Sequence, residues 1–209
     1  LKEFKWVMEQ DVLKEEELCF SPEYFYHLKT LYPEITHIEI KWKHASYINE
    51  LSLYRYTVIL HIGSDEEIIN PDWQSWDKLT DKNEIINQLE KDSNLIAIAN
   101  IPNPRLWKER QMQKALNSNT LNTVGELLKL IESKDKEISD VNEILEIAKA
   151  KNYAYSFLLN EDPLKMNLLL EKNPGNHFVS QPFNEKHHSD KNLFTNIPLF
   201  NDISLILKK

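Results

Sequence analysis

Alternating apolar and polar positions predict two strands in the first third of the chain. Every second residue from Ile38 to Trp42 is apolar and the residues between are charged, which predicts a strand over residues 36–43 with one solvated face. The alternation returns at Tyr54 and predicts a second strand over residues 54–62. One face of that strand would carry Tyr54, Tyr56, Val58, Leu60 and Ile62, and the other Arg55, Thr57, Ile59 and His61.

Helical spacing and turn residues organise most of the remaining chain. Ser21 followed by Pro22 is typical of a helix start, and that helix is expected to end near Leu31, before a proline. Further helices are predicted over residues 84–91, 107–116, 123–132 and 141–151, and a buried strand over residues 95–99. A hairpin is predicted from strands 153–159 and 165–170. Loops are expected over residues 44–53 and 63–83, the latter held to the body by Trp73 and Trp76, and a polar linker from Asn173.

Charge and composition exclude several classes of function. The net charge is −8 and the 25 Lys and Arg residues are scattered, which argues against a nucleic-acid partner. No apolar run approaches the roughly 20 residues of a membrane span. The single cysteine, Cys19, allows no internal disulfide, so a cytoplasmic location and a buried structural thiol are expected. His177, His187 and His188 match no standard ligand spacing, so no metal is expected.

Glycine usage limits which cofactors this chain can hold by itself. Only three glycines occur, Gly63, Gly125 and Gly175, and they are isolated from one another. A glycine-rich phosphate or dinucleotide loop needs several glycines at close spacing. No cofactor-binding residues are therefore predicted within this chain.

One stretch has a recognisable sequence. Residues 49–59 read NELSLYRYTVI, and this resembles the second signature motif of the N-methyltransferase domains embedded in nonribosomal peptide synthetases, Asn-Glu-Leu-Ser-x-Tyr-Arg-Tyr-x-Ala-Val. Residues 102–106, Pro-Asn-Pro-Arg-Leu, resemble the Pro-Asn-Ala-Arg-Leu run of the same family, with Pro104 departing from it. The third motif of the family falls on the predicted hairpin, where only Ser156 clearly matches. The seven matches to the second motif are Asn49, Glu50, Leu51, Ser52, Tyr54, Arg55 and Tyr56.

The resemblance implies an α/β fold and a division of the chain. Residues 1–100 would be the C-terminal part of a class I, Rossmann-like methyltransferase sheet, whose last two strands form an antiparallel pair at the edge of an otherwise parallel sheet. Residues 101–172 would form a small α+β helix-and-hairpin accessory subdomain. Residues 173–209 would be a linker and the start of the return to an adenylation domain. The resemblance also implies that the glycine-rich cofactor motif precedes Leu1 in a longer protein and that the chain alone is inactive.

The implied reaction transfers a methyl group from S-adenosylmethionine to the α-amine of an aminoacyl thioester. Phosphopantetheine on a peptidyl carrier domain would present that thioester, and the carrier and adenylation domains of the same synthetase would be the partners. Glu50 is expected to orient the amine and accept its proton. Asn49 would hold the substrate carbonyl or amine, and Tyr54 and Tyr56 would line the methyl path. Structural roles are expected for four further residues. Arg55 would pair with a carboxylate, and Arg105 would form either an ion pair or hydrogen bonds to backbone carbonyl groups. Ser52 and Asn103 would also be structural.

Two other readings of the sequence stay open. In the first, the chain is a non-catalytic structural or docking module of a megasynthase with a decayed methyltransferase tail. In the second, it is an unrelated acidic α/β interaction protein. The intact Glu50 and Tyr54–Tyr56 segment argues against decay, whereas the degraded third motif argues for it. Solvent-exposed Asn49 and Glu50 far from any pocket would favour the unrelated protein.

Overall fold

The computed structural model describes residues 3, 6–7, 10–11, 17–43, 47, 49–79, 81–118, 121, 123–132, 136–182 and 195. The helices are α1 Pro22–Leu31, α2 Glu50–Tyr54, α3 Asn83–Glu90, α4 Trp107–Ser118, α5 Val124–Glu132 and α6 Lys136–Ala150. The strands are β1 Ile35–Trp42, β2 Tyr56–Ile62, β3 Glu67–Ile69, β4 Trp73–Ser75, β5 Leu95–Pro102, β6 Ala154–Leu159, β7 Lys165–Glu171 and β8 His177–Val179. A short 3₁₀ turn occupies Trp76–Lys78.

Six strands form one mixed sheet in the order β2-β1-β6-β7-β5-β4. The last pair, β4 and β5, is parallel, and the other neighbours are antiparallel. The expectation of an otherwise parallel sheet is therefore wrong for the described strands. Residues 160–164 connect β6 to β7, a link too short for the crossover of a dozen or more residues that parallel neighbours require. The result is a mixed α/β fold with a mostly antiparallel sheet.

The predicted antiparallel pair of β1 and β2 is confirmed at one edge of this sheet. Ile38 lies opposite Leu60, and Ile40 lies opposite Val58. The strand begins at Tyr56, however, and Tyr54 is the last residue of helix α2, so the prediction of a strand from residue 54 and of a loop through residue 53 was wrong. A side-chain cap at the start of α2 overrides the apparent two-residue period.

The core lies on both faces of the sheet. On one face, α3 and α6 cover β5 and β7, where Ile85, Val141 and Ile144 pack with Ile98 and Leu168. Near β1, α1 contributes half-buried side chains to a second cluster around Ile40. A third cluster contains Ala97, Leu158 and Leu169. The apolar residues of the predicted helices and of the hairpin therefore account for most of the buried side chains.

The segments expected to be loop and linker contain additional strands. β3 and β8 form a separate parallel pair, and β4 extends the main sheet, so residues 67–75 and 177–179 are more ordered than predicted. Trp73 donates an indole hydrogen bond to the Ser180 carbonyl oxygen at 3.0 Å, and Trp76 packs on the main core, which agrees with the expected anchoring. His187, His188 and nearly all of the predicted return to an adenylation domain lie outside the described residues.

Two further features bear on the sequence-based expectations. Cys19 is exposed, so the prediction of a buried structural thiol was wrong. The predicted boundary at residue 100 falls inside β5, and strands from both sides of it share one sheet. The division of the chain into units stays a prediction. None of the described helices has the length and apolar character needed to cross a membrane.

Candidate functional site

A capping box starts helix α2 and accounts for two residues of the recognised stretch. The Asn49 side-chain oxygen accepts a hydrogen bond from the Ser52 backbone N–H at 3.0 Å, and the Asn49 backbone N–H donates to Ser52 Oγ at 3.1 Å. This reciprocal arrangement satisfies two backbone donors that a helix start leaves unpaired. Asn49 is exposed, but its oxygen is committed to the helix cap.

Arg105 joins the turn after β5 to the start of helix α2. Its guanidinium donates to Ser52 Oγ at 2.9 Å, to the Tyr47 carbonyl oxygen at 3.1 Å and to the Lys43 carbonyl oxygen at 3.3 Å. The planar guanidinium carries five N–H donors and can reach several acceptors at once. The expected hydrogen bonding of Arg105 to backbone carbonyl groups is therefore confirmed. Ser52 itself is buried, with 3% of its surface exposed.

The turn that holds Arg105 depends on Asn103. The Asn103 side-chain oxygen accepts the Arg105 backbone N–H at 3.0 Å, and the Asn103 backbone N–H donates to the Leu164 carbonyl oxygen at 3.0 Å. An asparagine that bonds the backbone two residues further on forms an Asx turn, and Pro102 and Pro104 restrict the same segment. Asn103 and Arg105 thus have the structural roles expected of them.

A pocket of about 200 Å³ opens beside this junction. It lies where β1, α2, the turn at residues 103–105, α4, α6 and the β6–β7 hairpin meet. Nine of its twelve described lining residues were not predicted as site residues, and most of the nine fit a core or helix pattern instead. The lining comprises Trp42, Lys43, Ser52, Leu53, Asn103, Pro104, Arg105, Trp107, Asn142, Leu145, Phe157 and Met166.

Tyr54 is tied to helix α4 instead of lining this pocket. Its hydroxyl donates to the Glu109 carboxylate at 2.6 Å. That hydrogen bond, followed by desolvation and by the negative charges of Glu109 and Glu50, raises the pKa of Tyr54 to about 12. Glu109 was not singled out from the sequence, where an acidic residue in the first turn of a helix is unremarkable. The Tyr54 hydroxyl therefore joins α2 to α4 through a side-chain hydrogen bond.

Tyr56 and Arg55 point to a different neighbour, the segment before α1. The Tyr56 hydroxyl donates to the Phe20 carbonyl oxygen, and burial, with the Glu23 carboxylate, raises the pKa of Tyr56 to about 12. Arg55 pairs with Glu17 at 3.0 Å, so its expected carboxylate partner exists. The Arg55 and Glu17 side chains are 48% and 69% exposed, however, so this is a surface ion pair.

Glu50 is the exposed first residue of helix α2. It does not line the pocket, and its carboxylate has no hydrogen bond or ion pair within the part of the chain that the structure describes. Glu50, Asn49, Tyr54 and Tyr56 therefore do not converge on one point. The residues that do come together are Ser52, Asn103 and Arg105, for which structural roles were predicted. In the described ranges no group of three or more His, Cys, Asp or Glu side chains is arranged to hold a metal ion.

Comparison with known proteins gives the chain a set of relatives. An enniatin synthase of Fusarium equiseti is 31% identical over 157 residues, which is 67% of this chain and 5% of that protein. A cyclosporin synthetase of Tolypocladium inflatum is 33% identical over 120 residues, 53% of this chain and 1% of that protein. The relatives are nonribosomal peptide synthetases.

The similarity covers a small part of each of these synthetases. A beauvericin nonribosomal cyclodepsipeptide synthetase of Beauveria bassiana is 30% identical over 118 residues, 51% of this chain and 4% of that protein. The chain thus spans between 1% and 5% of the length of the three relatives compared here. No protein-family model matches the chain.

Proposed function

We propose that this chain is part of a methyltransferase domain of a nonribosomal peptide synthetase, and that the complete domain methylates the α-amine of a carrier-bound aminoacyl thioester. The proposal includes the adenylation and peptidyl carrier domains as partners and phosphopantetheine as the arm that presents the substrate. The relatives of the chain are nonribosomal peptide synthetases, which supports the assignment of the chain to this class of protein.

The observation that carries the proposal is the contact between the two stretches that resemble the family. Residues 49–59 and residues 102–106 are far apart in sequence, yet Ser52 Oγ and the Arg105 guanidinium are 2.9 Å apart. Arg105 also holds the backbone on both sides of this contact, at Lys43 and Tyr47. Both matched stretches therefore contribute to one local structure, which a chance match would not require.

Glu50 is the residue to which we assign the chemistry. As the exposed first residue of α2 it is accessible to a substrate, and a carboxylate can accept hydrogen bonds from an amine, orient it and take its proton. Because the Asn49 oxygen caps α2, the Asn49 amide nitrogen is the group left to donate to a substrate carbonyl. Tyr54 and Tyr56 act through their rings, since their hydroxyls are bonded to Glu109 and Phe20.

None of the three glycines is placed to form a cofactor-binding loop. Gly63 follows β2 in a turn, Gly125 lies inside α5 and Gly175 precedes β8, so none lies in a turn from a strand into a helix. Such a turn, followed by a strand that ends in an acidic residue, is what holds a nucleoside cofactor in Rossmann-like folds. We therefore assign the binding of the cofactor to other parts of the complete domain.

The experiment is methyl transfer by the complete parent domain to a carrier-loaded amino acid, followed in a single turnover. Formation of the N-methyl aminoacyl thioester, detected by mass spectrometry, supports the proposal. A folded parent domain that binds the loaded carrier but produces no methylated amine contradicts the proposal. Methylation at oxygen or carbon would also contradict the proposed N-methylation.

A second candidate is a non-catalytic structural or docking module of a synthetase. The observation that favours it is the separation of the predicted catalytic residues, since Glu50 lies outside the pocket and the Tyr54 and Tyr56 hydroxyls face opposite neighbours. In that case the parent domain would fail to methylate any loaded carrier, and Glu50→Gln would have no effect on product formation by the synthetase.

A further inference from the structure

The pocket beside Arg105 is lined by an amide group whose donor has no partner within the described residues. Asn103 is 3% exposed, and its side-chain oxygen accepts the Arg105 N–H, which fixes the amide with its nitrogen as the remaining group. Within the described residues that nitrogen donates no hydrogen bond. An amide nitrogen in this position is available to donate a hydrogen bond to an acceptor oxygen in the pocket.

Trp42 gives a second observation of the same kind. Its indole nitrogen is buried and, in the described part of the chain, has no acceptor. Trp42 and Asn103 both line the pocket. The pocket therefore has one available donor, the Asn103 amide nitrogen, and its wall contains a second, enclosed donor in the Trp42 indole.

The pocket is large enough for more than a single water molecule. An ordered water needs about 10–15 Å³ of such space. The pocket offers about 200 Å³. Pockets for drug-sized ligands are larger, at about 300–1,000 Å³, so the space suits part of a substrate better than a whole cofactor.

The lining defines the chemistry of the occupant. Much of the wall is apolar or aromatic, from Trp42, Leu53, Trp107, Leu145, Phe157 and Met166. The described lining contains Lys43 and Arg105 but no Asp or Glu, so the charges of the wall disfavour a bound cation such as an ammonium or sulfonium group. A neutral group with a carbonyl oxygen and an apolar side chain matches both the donors and the wall.

We propose that this pocket binds the acyl part of the substrate, with its carbonyl oxygen accepting a hydrogen bond from the Asn103 amide nitrogen and an apolar side chain packed on Trp107 and Phe157. The inference rests on the proposed function and makes it more specific, because it assigns an amino acid with an apolar side chain as the group carried by the thioester. Asn103 is then a substrate-binding residue as well as a turn residue.

The direct test is a titration of the ¹⁵N-labelled 209-residue chain, following the Asn103 side-chain amide and the Trp42 indole resonances. N-acetyl-leucine methylamide carries both the carbonyl and the apolar side chain, and it is expected to shift both resonances. N-acetyl-glycine methylamide lacks the side chain and is expected to bind at least about tenfold more weakly. Unchanged Asn103 resonances with the leucine compound would overturn the assignment.

Pantetheine is the third ligand of this titration, because its amide carbonyls offer the same acceptor without the side chain. Weaker binding than the leucine compound supports the acyl assignment. Equal or tighter binding of pantetheine would overturn it, because the pocket would then take the carrier arm.

A matched pair of variants checks the role of the Asn103 nitrogen. Asn103→Asp keeps the oxygen that accepts from Arg105 but replaces the donor with an acceptor, and we expect about tenfold weaker binding of the leucine compound. Asn87→Asp makes the same change at an exposed position of α3 and is expected to bind like the wild type. Equal affinity in both variants would overturn the assignment, and if Asn103→Asp does not fold, the wild-type titration alone decides.

The outcome is separable from that of the proposed function. Binding in this pocket together with a parent domain that methylates no amine would refute the proposed reaction and leave the acyl site standing. Methyl transfer by the parent domain together with no binding at Asn103 would refute the acyl site alone.

Discussion

Ser52 Oγ lies 2.9 Å from the Arg105 guanidinium and joins the start of helix α2 to the turn after β5. The same oxygen accepts the Asn49 backbone N–H and lies 3.0 Å from the Tyr47 carbonyl oxygen, to which it donates. A single buried hydroxyl therefore holds the backbone at both Tyr47 and Asn49. This explains why a serine, and not an alanine of similar size, suits this position.

Ser52→Ala tests that role. The substitution leaves the Asn49 N–H and part of the Arg105 guanidinium without an acceptor, so the free energy of unfolding should fall by about 1–3 kcal/mol. Chemical denaturation measures it. Ser93→Ala is the control, because the half-buried Ser93 hydroxyl makes no hydrogen bond within the described residues, and it should change stability by less than about 0.5 kcal/mol. Equal effects of the two substitutions would show that the hydrogen bonds of Ser52 contribute nothing to the free energy of unfolding.

The ionisation of Tyr56 should make stability depend on pH in the alkaline range. Its pKa is raised from 10.0 to about 12 in the folded chain, so folding favours the neutral phenol. This contribution is complete below about pH 10 and is lost as the pH rises towards the folded-state pKa. Denaturation curves collected between about pH 8 and 11 should show a smaller loss for Tyr56→Phe than for the wild type. Tyr32→Phe removes an exposed hydroxyl as a control, and the same loss in all three proteins would refute the assignment.

Arg55→Ala should have a small effect. The sequence predicted a carboxylate partner for this arginine, and a loss of about 1–3 kcal/mol would be expected if that partner were buried. Its partner Glu17 is 69% exposed, so we now expect at most about 1 kcal/mol, reduced further by salt. A double-mutant cycle with Glu17→Gln at low and high ionic strength measures the coupling. A coupling above about 2 kcal/mol that persists in high salt would contradict the surface pair.

Calorimetry on this chain alone tests the assignment of the cofactor site to other parts of the domain. The three glycines lie in places that do not form a phosphate or nucleoside loop, so titration with S-adenosylmethionine should give no binding in the micromolar range. Binding with a dissociation constant of a few micromolar would mean that this chain holds the cofactor without a glycine-rich loop.

The sequence identified most elements because their burial is periodic, and it failed where a local polar contact overrode the period. Tyr54 fits the alternation of Tyr56 and Val58, yet it belongs to α2. Part of the signal was present, since asparagine is a favoured N-cap residue, but serine three residues later is not the usual partner in a capping box. Residues 177–179 form β8 only because β3 lies beside them, which no local pattern can reveal.

The site was predicted in part for the same reason. Arg105 was expected to tie carbonyl groups, and it does. The hydrogen bond from Arg105 to Ser52 and the one from Tyr54 to Glu109 were not predicted. Each joins two residues that are far apart in sequence, so no local pattern reveals it. The order of strands in the sheet is likewise a property of long-range pairing. Motif resemblance suggested an otherwise parallel sheet, and the short β6–β7 connection excludes it for that pair.

The central claim is that Glu50 accepts the proton of the substrate amine, and single-turnover methylation by the parent domain measures it most directly. Glu50→Gln keeps the shape of an exposed side chain, so folding should be preserved, while methyl transfer should slow by about 10²–10⁴-fold. Glu90→Gln, a matched change at an exposed glutamate on α3, should leave the rate unchanged. Methylation by Glu50→Gln at the wild-type rate would contradict the account and leave Glu50 as a surface residue at the start of α2.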